Sequence, residues 1–457
     1  MTKSILIFFE KNALNVCICH FFFVILQPIL KNGVICANLL TKNIYTTMLD
    51  AFYQIHDFLV EHAHMPIRRL LMDEIDWNDR LIAIRGGRGV GKTDFLLVHA
   101  KELEAREKDH PTIVDKPKRR KNMDPARPIL YVNLNNFFFT QHTIVEFVTT
   151  FYKSGGRYLL LDQVFKYPNW SKELRRCHDR FKELHIIFAA SPVMPLDEDN
   201  RDLQGIIHVY NLRGFSFREY LNLRTGMRLK PYSLEEILHS HASIATAICE
   251  HIHPLAYFTD YLRRGYYPSF LENKNFEADL IKTINTILEV DILLIKQIEV
   301  QSLPKLRLML NLMMNETPCA LNVSSLSDKI ETSRATTMNY IKYLKDSRLL
   351  NLLYMEGRSF PMKPHKVYMQ NTNLMYMNST REPNQQDLYE TYFYNALHQA
   401  HRVNATERNA MFVIDGKYYF DVMADQPLRD HIRPCAIGNI EQGRGNFIPL
   451  WMLGLLY

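Results

Sequence analysis

The stretch Leu81–Ala100, LIAIRGGRGVGKTDFLLVHA, limits the folds open to this chain more than any other. An apolar run meets four of the chain's 17 glycines within six positions, and an apolar segment with helical spacing follows. The order is strand, glycine loop, helix. Within it, Gly86-Gly87-Arg88-Gly89-Val90-Gly91-Lys92-Thr93 fits G-x-x-x-x-G-K-[ST], and each fixed position has a physical task. The glycines let successive backbone N–H groups turn inward around phosphate oxygens, at the positive end of the following helix. Lys92 supplies an ammonium for the β- and γ-phosphates, and the Thr93 hydroxyl is a ligand for Mg²⁺. A plain structural turn accounts for the glycines but gives no reason for Lys92-Thr93. Gly86 through Asp94 is therefore the expected nucleotide site, with ATP and Mg²⁺ as the expected cofactors.

The rest of the chain must supply the partners of that loop. With 457 residues there is room for two to four domains, and 47% hydrophobic with 23% charged residues is a globular balance. A net charge of +6 is mild at this length; it allows local basic surfaces and does not by itself imply nucleic acid. The seven cysteines are odd in number, three fall in the first 36 residues, and none forms a C-x-x-C pair. A reducing compartment without structural zinc follows.

Residues 1–47 differ from the remainder. Ala13–Leu30 has no charged residue and is mostly apolar, at the lower length limit for a membrane span. Lys3 and Lys11 before it imitate a signal peptide, yet no small-x-small cleavage site follows. An ATP-using protein belongs where ATP is, so a cytoplasmic location is expected. The expectation is that Met48 is the natural start and that 1–47 is a leader or frame extension outside the fold. A membrane anchor at 13–30 and a structural helix are the alternatives.

After the loop's helix, Arg106–Arg127 is polar and contains Lys116-Pro117-Lys118-Arg119-Arg120-Lys121, five basic residues in six. Such a run either contacts phosphate backbones or acidic lipid, or is a solvated connection, and the second is preferred. Pro128–Leu134 then reads as a buried strand, and Tyr158-Leu159-Leu160-Leu161-Asp162 as another. A strand ending in Asp, seventy positions after Lys92 with one strand between, delivers the carboxylate that holds the Mg²⁺ water shell. Enzymes of this type usually place Glu next, to polarise the attacking water. Gln163 stands there instead, and an amide orients water but takes no proton. Slow or absent hydrolysis is expected. His185–Ala190 is a further strand ending at Ser191, a candidate polar sensor of the γ-phosphate or simply a strand end before Pro192. Ile206–Leu212 leads to Arg213-Gly214-Phe215-Ser216-Phe217-Arg218-Glu219-Tyr220. Arg201, Arg213 and Arg218 are candidates for a nucleotide-sensing arginine, from the same or a neighbouring subunit of a homo-oligomer, or are salt-bridge residues.

Taken together, LIAIRGGRGVGKT, ILYVNLNN, GGRYLLLDQVFKYPNWSKELRR, HIIFAAS and RGFSFREYLNL resemble the prokaryotic AAA-type ATPases that carry a C-terminal domain of unknown function, DUF4143. The ending Asn446–Tyr457 is like that of their Bacteroidetes branch. The resemblance spans about 48–457. It implies an α/β P-loop NTPase core of the AAA type over 48–225, a helical lid over 226–300, a winged-helix segment over 301–375, and a C-terminal α/β domain similar to restriction endonucleases over 376–457. The chain departs from the family pattern at Gln163, at Asp94 in place of a second Thr, and in the C-terminal domain. There the family's Gly-Asp-Phe falls on Asn409-Ala410-Met411, and its Phe-Glu-Val-Gly-Gly-Lys on Phe420-Asp421-Val422-Met423-Ala424-Asp425. A nuclease needs a carboxylate cluster and a Lys; only Asp421 remains, so a non-catalytic binding module is expected.

In the lid, Leu234–Leu238 and Ala245–Tyr261 have helical periodicity, and Gly265-Tyr266-Tyr267-Pro268 punctuates it. Helices are expected at Leu306–Met314, Val323–Ile330 and Arg334–Asp346, then a wing strand at Leu349–Tyr354. In this winged-helix order the third helix, carrying Arg334, Thr336, Thr337, Asn339, Lys342 and Lys345, either enters a DNA major groove or belongs to a unit that serves only packing or protein interaction, and the second is preferred. Two function classes follow: an ATP-dependent switch or ATPase, or a DNA-binding regulatory protein that holds nucleotide structurally.

Overall fold

The apolar runs around the glycine loop form one all-parallel sheet in the computed structural model, which describes residues 37–109, 127–271, 275–377, 382–427 and 431–457, with side chains from residue 48 onward. The expectations placed on Ala13–Leu30 and Lys116–Lys121 lie outside the described residues. Chain contacts divide the molecule into Met1–Ile55 and His56–Tyr457. The described part of the first unit belongs to helix α1 (Ala37–His62). No helix among the described residues is long and apolar enough to cross a membrane.

In the second unit, after the short α2 (Leu71–Glu74), strands β1 (Leu81–Arg85), β2 (Ile129–Asn133), β3 (Tyr158–Asp162), β4 (His185–Ala190) and β5 (His208–Asn211) pair in the order β2-β3-β4-β1-β5. Every pairing is parallel. Parallel sheets are covered on both faces, which is why their strands read as continuous apolar runs. Leu81 through Ile84 are fully buried, as are Leu159 through Leu161. In sequence β2 separates the loop strand from the Asp162 strand, but in space the strand between them is β4. Helices α3 (Lys92–Asp109), α4 (Ile144–Lys153) and α5 (Trp170–Arg180) accompany the strands. At the start of α4, Thr143 and Glu146 cap each other's backbone N–H groups.

One buried ion pair closes the N-terminal side of this core. Arg69 donates through Nε to Glu219 Oε1 at 3.0 Å, and through its other nitrogens to the carbonyls of Val90, Arg213 and Gly214. The other oxygen of Glu219 accepts Ser216 N, completing the capping box of α6 (Phe217–Thr225). Both side chains are almost wholly buried, at 6% and 2% exposure.

The segment expected to form a lid begins with α7 (Leu234–Cys249) and α8 (Pro254–Asp260). The helical periodicity over Ala245–Tyr261 is divided between the two, because Pro254 starts a helix more readily than it continues one. Tyr261–Gly265 winds in wider, five-residue turns, and Ile287–Leu294 does the same after α9 (Phe276–Thr286). Three helices follow, α10 (Leu303–Glu316), α11 (Val323–Lys329) and α12 (Arg334–Asp346), then an antiparallel pair of β6 (Leu350–Leu353) and β7 (Lys366–Met369). Of the groups expected on the outer face of α12, Thr337 is corrected: it is fully buried, its hydroxyl donating to Ser333 O. Lys342 and Lys345 both face Asp346, whereas Arg334 and Asn339 are exposed.

After α13 (Thr372–Met375), α14 (Gln385–Leu397) packs on a second sheet. That sheet contains β8 (Val403–Asn404), β9 (Phe412–Ile414), β10 (Tyr418–Met423), β11 (Cys435–Ile437) and β12 (Phe447–Pro449) in the order β12-β11-β10-β9-β8. Asp421 on β10 accepts Met411 N and lies 3.4 Å from both His431 and Arg433. Asp425, at the position where a nuclease would hold Lys, accepts Asn439 Nδ2.

Removing Arg69 strands a buried carboxylate, so Arg69→Ala should destabilise the protein by about 3–5 kcal/mol. A shift of the urea midpoint no larger than that of a surface Arg→Ala control would show that the pair carries no such weight.

Candidate functional site

The C-terminal ends of β1, β3 and β4 lie at one edge of the sheet, and the glycine loop leaves β1 there. Gly89 and Gly91 have φ of +84° and +90°, a conformation that a side-chain-bearing residue adopts only with strain. Each also has a neighbour from the segment after α8: a methyl group on Gly89 would stand 3.4 Å from the Tyr267 ring, and one on Gly91 3.7 Å from Pro268, both ordinary van der Waals contacts. Lys92, the first residue of α3, donates through Nζ to the carbonyls of Gly86 and Gly87 at 2.7 and 2.8 Å. Burial pulls its pKa from 10.5 down to about 8, opposed by Asp291 and Asp162.

Thr93 Oγ1 donates to Asp162 Oδ2 at 2.7 Å. The same oxygen accepts the Tyr131 hydroxyl at 2.9 Å, and Oδ1 accepts Gln163 N at 2.7 Å. Burial, with Asp162 beside it, raises the Tyr131 pKa far above that of an ordinary phenol, so this hydroxyl stays a donor. The strand therefore ends on a carboxylate that three donors hold in place. Gln163 itself takes left-handed backbone angles, φ 55° and ψ 32°.

Thr93, Asp94, Asp162, Gln163 and Ser191 line one cavity with Arg88, Gly89, Gly91 and Lys92, enclosing about 900 Å³ including its open mouth. Ser191 is 5% exposed, lines the cavity, and its hydroxyl has no hydrogen-bond partner among the described residues. The hydroxyl of Thr93 beside the carboxylate of Asp162 is an oxygen pair suited to Mg²⁺. Gly86, Gly87 and Val90 line a separate cavity, with Arg88 at the wall of both. Of the three candidate arginines, none lines the cavity with Lys92 and Asp162. Arg201 is exposed, Arg213 lines the second cavity, and Arg218 donates to the main-chain oxygens of Tyr457 and Leu229.

The cavity also holds Asp291, which sequence reasoning missed. It sits in the wide-turn segment after α9, is 3% exposed, and pairs through both oxygens with the Arg88 guanidinium at 3.3 Å. The one signal for it was a lone acid inside the apolar run Ile287-Leu288-Glu289-Val290-Asp291-Ile292-Leu293-Leu294, beside the ordinary polar-face residue Glu289.

Residues 78–221 match the family model described as AAA domain. The core is of the AAA type. Its parallel sheet and glycine loop are those of a P-loop NTPase. A second family model, a domain of unknown function (DUF8612), matches residues 255–382. The domain of unknown function found here is thus DUF8612, and the DUF4143 resemblance rests on sequence motifs alone. A curated relative of the AAA-bearing chain is an uncharacterized protein of Methanocaldococcus jannaschii, 23% identical over 304 residues. The match takes in 63% of this chain and 59% of that protein's length. Among solved structures, C. elegans PCH-2 aligns over 67% of this chain and 68% of its own at 15% identity, with a TM-score of 0.23. A DNA polymerase III gamma subunit-related protein from Thermotoga maritima aligns over 61% and 97% at 12% identity, with a TM-score of 0.22. Both scores are too low to equate the folds.

Asp291 places a negative charge against the phosphate cavity and occupies Arg88. Asp291→Asn should tighten binding of a fluorescent ATP analogue by about tenfold. Unchanged or weaker binding in a variant that melts normally would remove Asp291 from the account of the site.

Proposed function

We propose that this protein binds ATP with Mg²⁺ at Gly86–Asp94 and Asp162 and acts as a nucleotide-dependent switch with weak turnover. The observation that carries this reading is the 2.7 Å hydrogen bond between Thr93 and Asp162, which sets the two metal-ligand types side by side beneath the glycine loop. Lys92 is positioned to exchange its two carbonyl acceptors for phosphate oxygens, and Ser191 to donate its unpartnered hydroxyl to the γ-phosphate or the water beside it. Bound Mg²⁺ would neutralise phosphate charge at Thr93 and Asp162. Gln163 lines the same cavity as an amide, able to orient water but not to take its proton.

The switch part of the reading rests on how the lid meets the loop. The Tyr267 ring abuts Gly89, and its hydroxyl accepts Asn371 Nδ2 at 3.0 Å. Gln370 donates to the Tyr266 hydroxyl, and Asn373 accepts Tyr266 N. Movement of the lid with phosphate occupancy is thereby passed to the segment after β7, and so to the winged-helix unit of α10–α12 and β6–β7. The C-terminal domain fits a degenerate, non-catalytic role, because Asp421 is engaged by His431 and Arg433. A cytoplasmic location and homo-oligomeric assembly complete the reading.

A second reading has α12 contact DNA through the exposed Arg334, Asn339 and Lys345. Its test is a DNA affinity that falls steeply with salt and is weakened by Arg334→Ala.

For the principal reading, Lys92→Ala should lose ATP binding, because it deletes the cation facing the phosphates. Retained binding in that variant would overturn the site. Gln163→Glu should raise steady-state phosphate release by about 10²-fold, the lower end of what a positioned base contributes. If turnover stays flat while ATP still binds, the missing base is not what limits the reaction.

A further inference from the structure

The second cavity, behind the first two glycines of the loop, is lined by Arg213, Arg348, Asn211, Gln370 and Gln399 together with Gly86, Gly87 and Arg88, and spans about 380 Å³ including its open mouth. No carboxylate lines it among the described residues. Its arginines are poorly matched. Arg213 Nη1 is buried without a hydrogen-bond partner, and the guanidinium lies 4.4 Å over the Tyr457 ring. Arg348 reaches only Asn211 Oδ1, at 3.5 Å, and that neutral oxygen already accepts Arg85 Nε at 3.1 Å. Two guanidinium groups thus share one amide oxygen, and a third has an idle nitrogen. The nearest acid to Arg348, Asp346, is engaged by Lys296, Lys342 and Lys345.

Arg348 is held there against its backbone preference. It follows the end of α12 with φ +64°, and its Cβ would lie 3.8 Å from a methyl group on Gly87. Burial, reinforced by the positive charge of Arg85 and Arg213, lowers its pKa. Neighbouring His398 is pushed down to about 3 by burial and then by Arg348 and Arg213. Half-buried cations short of counter-charge are costly, and a pocket of guanidinium groups beside an amide is an arrangement that an oxyanion satisfies.

We propose that this cavity is a second anion site, taking a free phosphate- or sulfate-sized oxyanion between Arg213 and Arg348, with the amide of Gln399 as a further donor; the Gln370 amide lines the wall with both its N–H groups engaged by Tyr266 and Asn395. The site borders the nucleotide cavity, sharing the wall residue Arg88 and the back of the glycine loop, but contains none of Lys92, Thr93, Asp162 or Ser191. Its ligand would join three parts of the chain, the exit of β5, the end of α12 and the turn after α14.

The test is calorimetric titration of the full chain with inorganic phosphate, and separately with sulfate, against chloride at equal ionic strength. Lys92→Ala should remove any phosphate held by the glycine loop and leave the second site intact. Arg348→Gln should weaken that remaining binding by about tenfold, the loss expected for one charge-assisted donor. Gln399→Glu, which supplies a carboxylate in place of the ligand, should fold, melt at a higher temperature and bind no oxyanion at this site. It also decides the matter should Arg348→Gln fail to fold. Loss of all phosphate binding in Lys92→Ala, or binding in Gln399→Glu equal to that of the unsubstituted chain, would overturn the proposal. Failure of ATP binding alone would leave it standing, since the nucleotide reading is not used.

Discussion

The hydrogen bond from Thr93 to Asp162 depends on two strands that are not neighbours ending at the same edge of one sheet. Adjacent strands stand about 4.8 Å apart, so β1 and β3, with β4 between them, are separated by roughly twice that. The gap is closed from one side by α3, whose first turn swings Thr93 back over the sheet edge, and from the other by the carboxylate at the last position of β3. Side chains alternate along a strand, so a slip of β3 by one residue would turn Asp162 away from the loop. The five-residue register of β3 against β2, from Tyr158 opposite Ile129 to Asp162 opposite Asn133, prevents that slip. Tyr131 then fixes the rotamer by reaching the same oxygen from β2.

Much of this was legible in the sequence. Strands covered on both faces carry unbroken apolar runs, so β3 and β4 could be bounded from residue type alone. The spacing of glycines, Lys92 and Thr93 has few other uses. What the sequence concealed were the contacts made by elements far apart along the chain. Asp291 looks like one polar position of a lid helix until Arg88, 203 residues earlier, is found against it. Thr337 has the spacing of an outward-facing group on α12, yet the face that packs is the one carrying Thr337, Tyr340, Ile341 and Leu344. Arg213 and Arg218 were both legible as functional arginines, but only packing against Tyr457 reveals that neither reaches the phosphate cavity.

The segment Tyr261–Tyr267 meets the segment after β7 through polar groups as well as apolar ones. Gln370, Asn371, Thr372 and Asn373 are all buried, and their side chains bond to Tyr266, Tyr267, Leu262 and Tyr261. Buried amides tolerate little sliding, because each lost partner leaves an unsatisfied group in a low-dielectric interior. An interface of this kind favours discrete arrangements over gradual drift. Tyr267 touches both this network and Gly89 of the glycine loop, and Tyr266 the network and Gly214.

The Arg69–Glu219 pair bears on where this domain begins and ends as a physical object. The matched family range opens at residue 78, nine positions after Arg69, yet it includes Glu219. A fragment cut to that range would bury a carboxylate with its cation deleted, and would lose the bonds that tie Val90, Arg213 and Gly214 together. A boundary drawn from sequence similarity and one drawn from free energy thus differ here, and the smallest autonomous unit reaches back past Arg69.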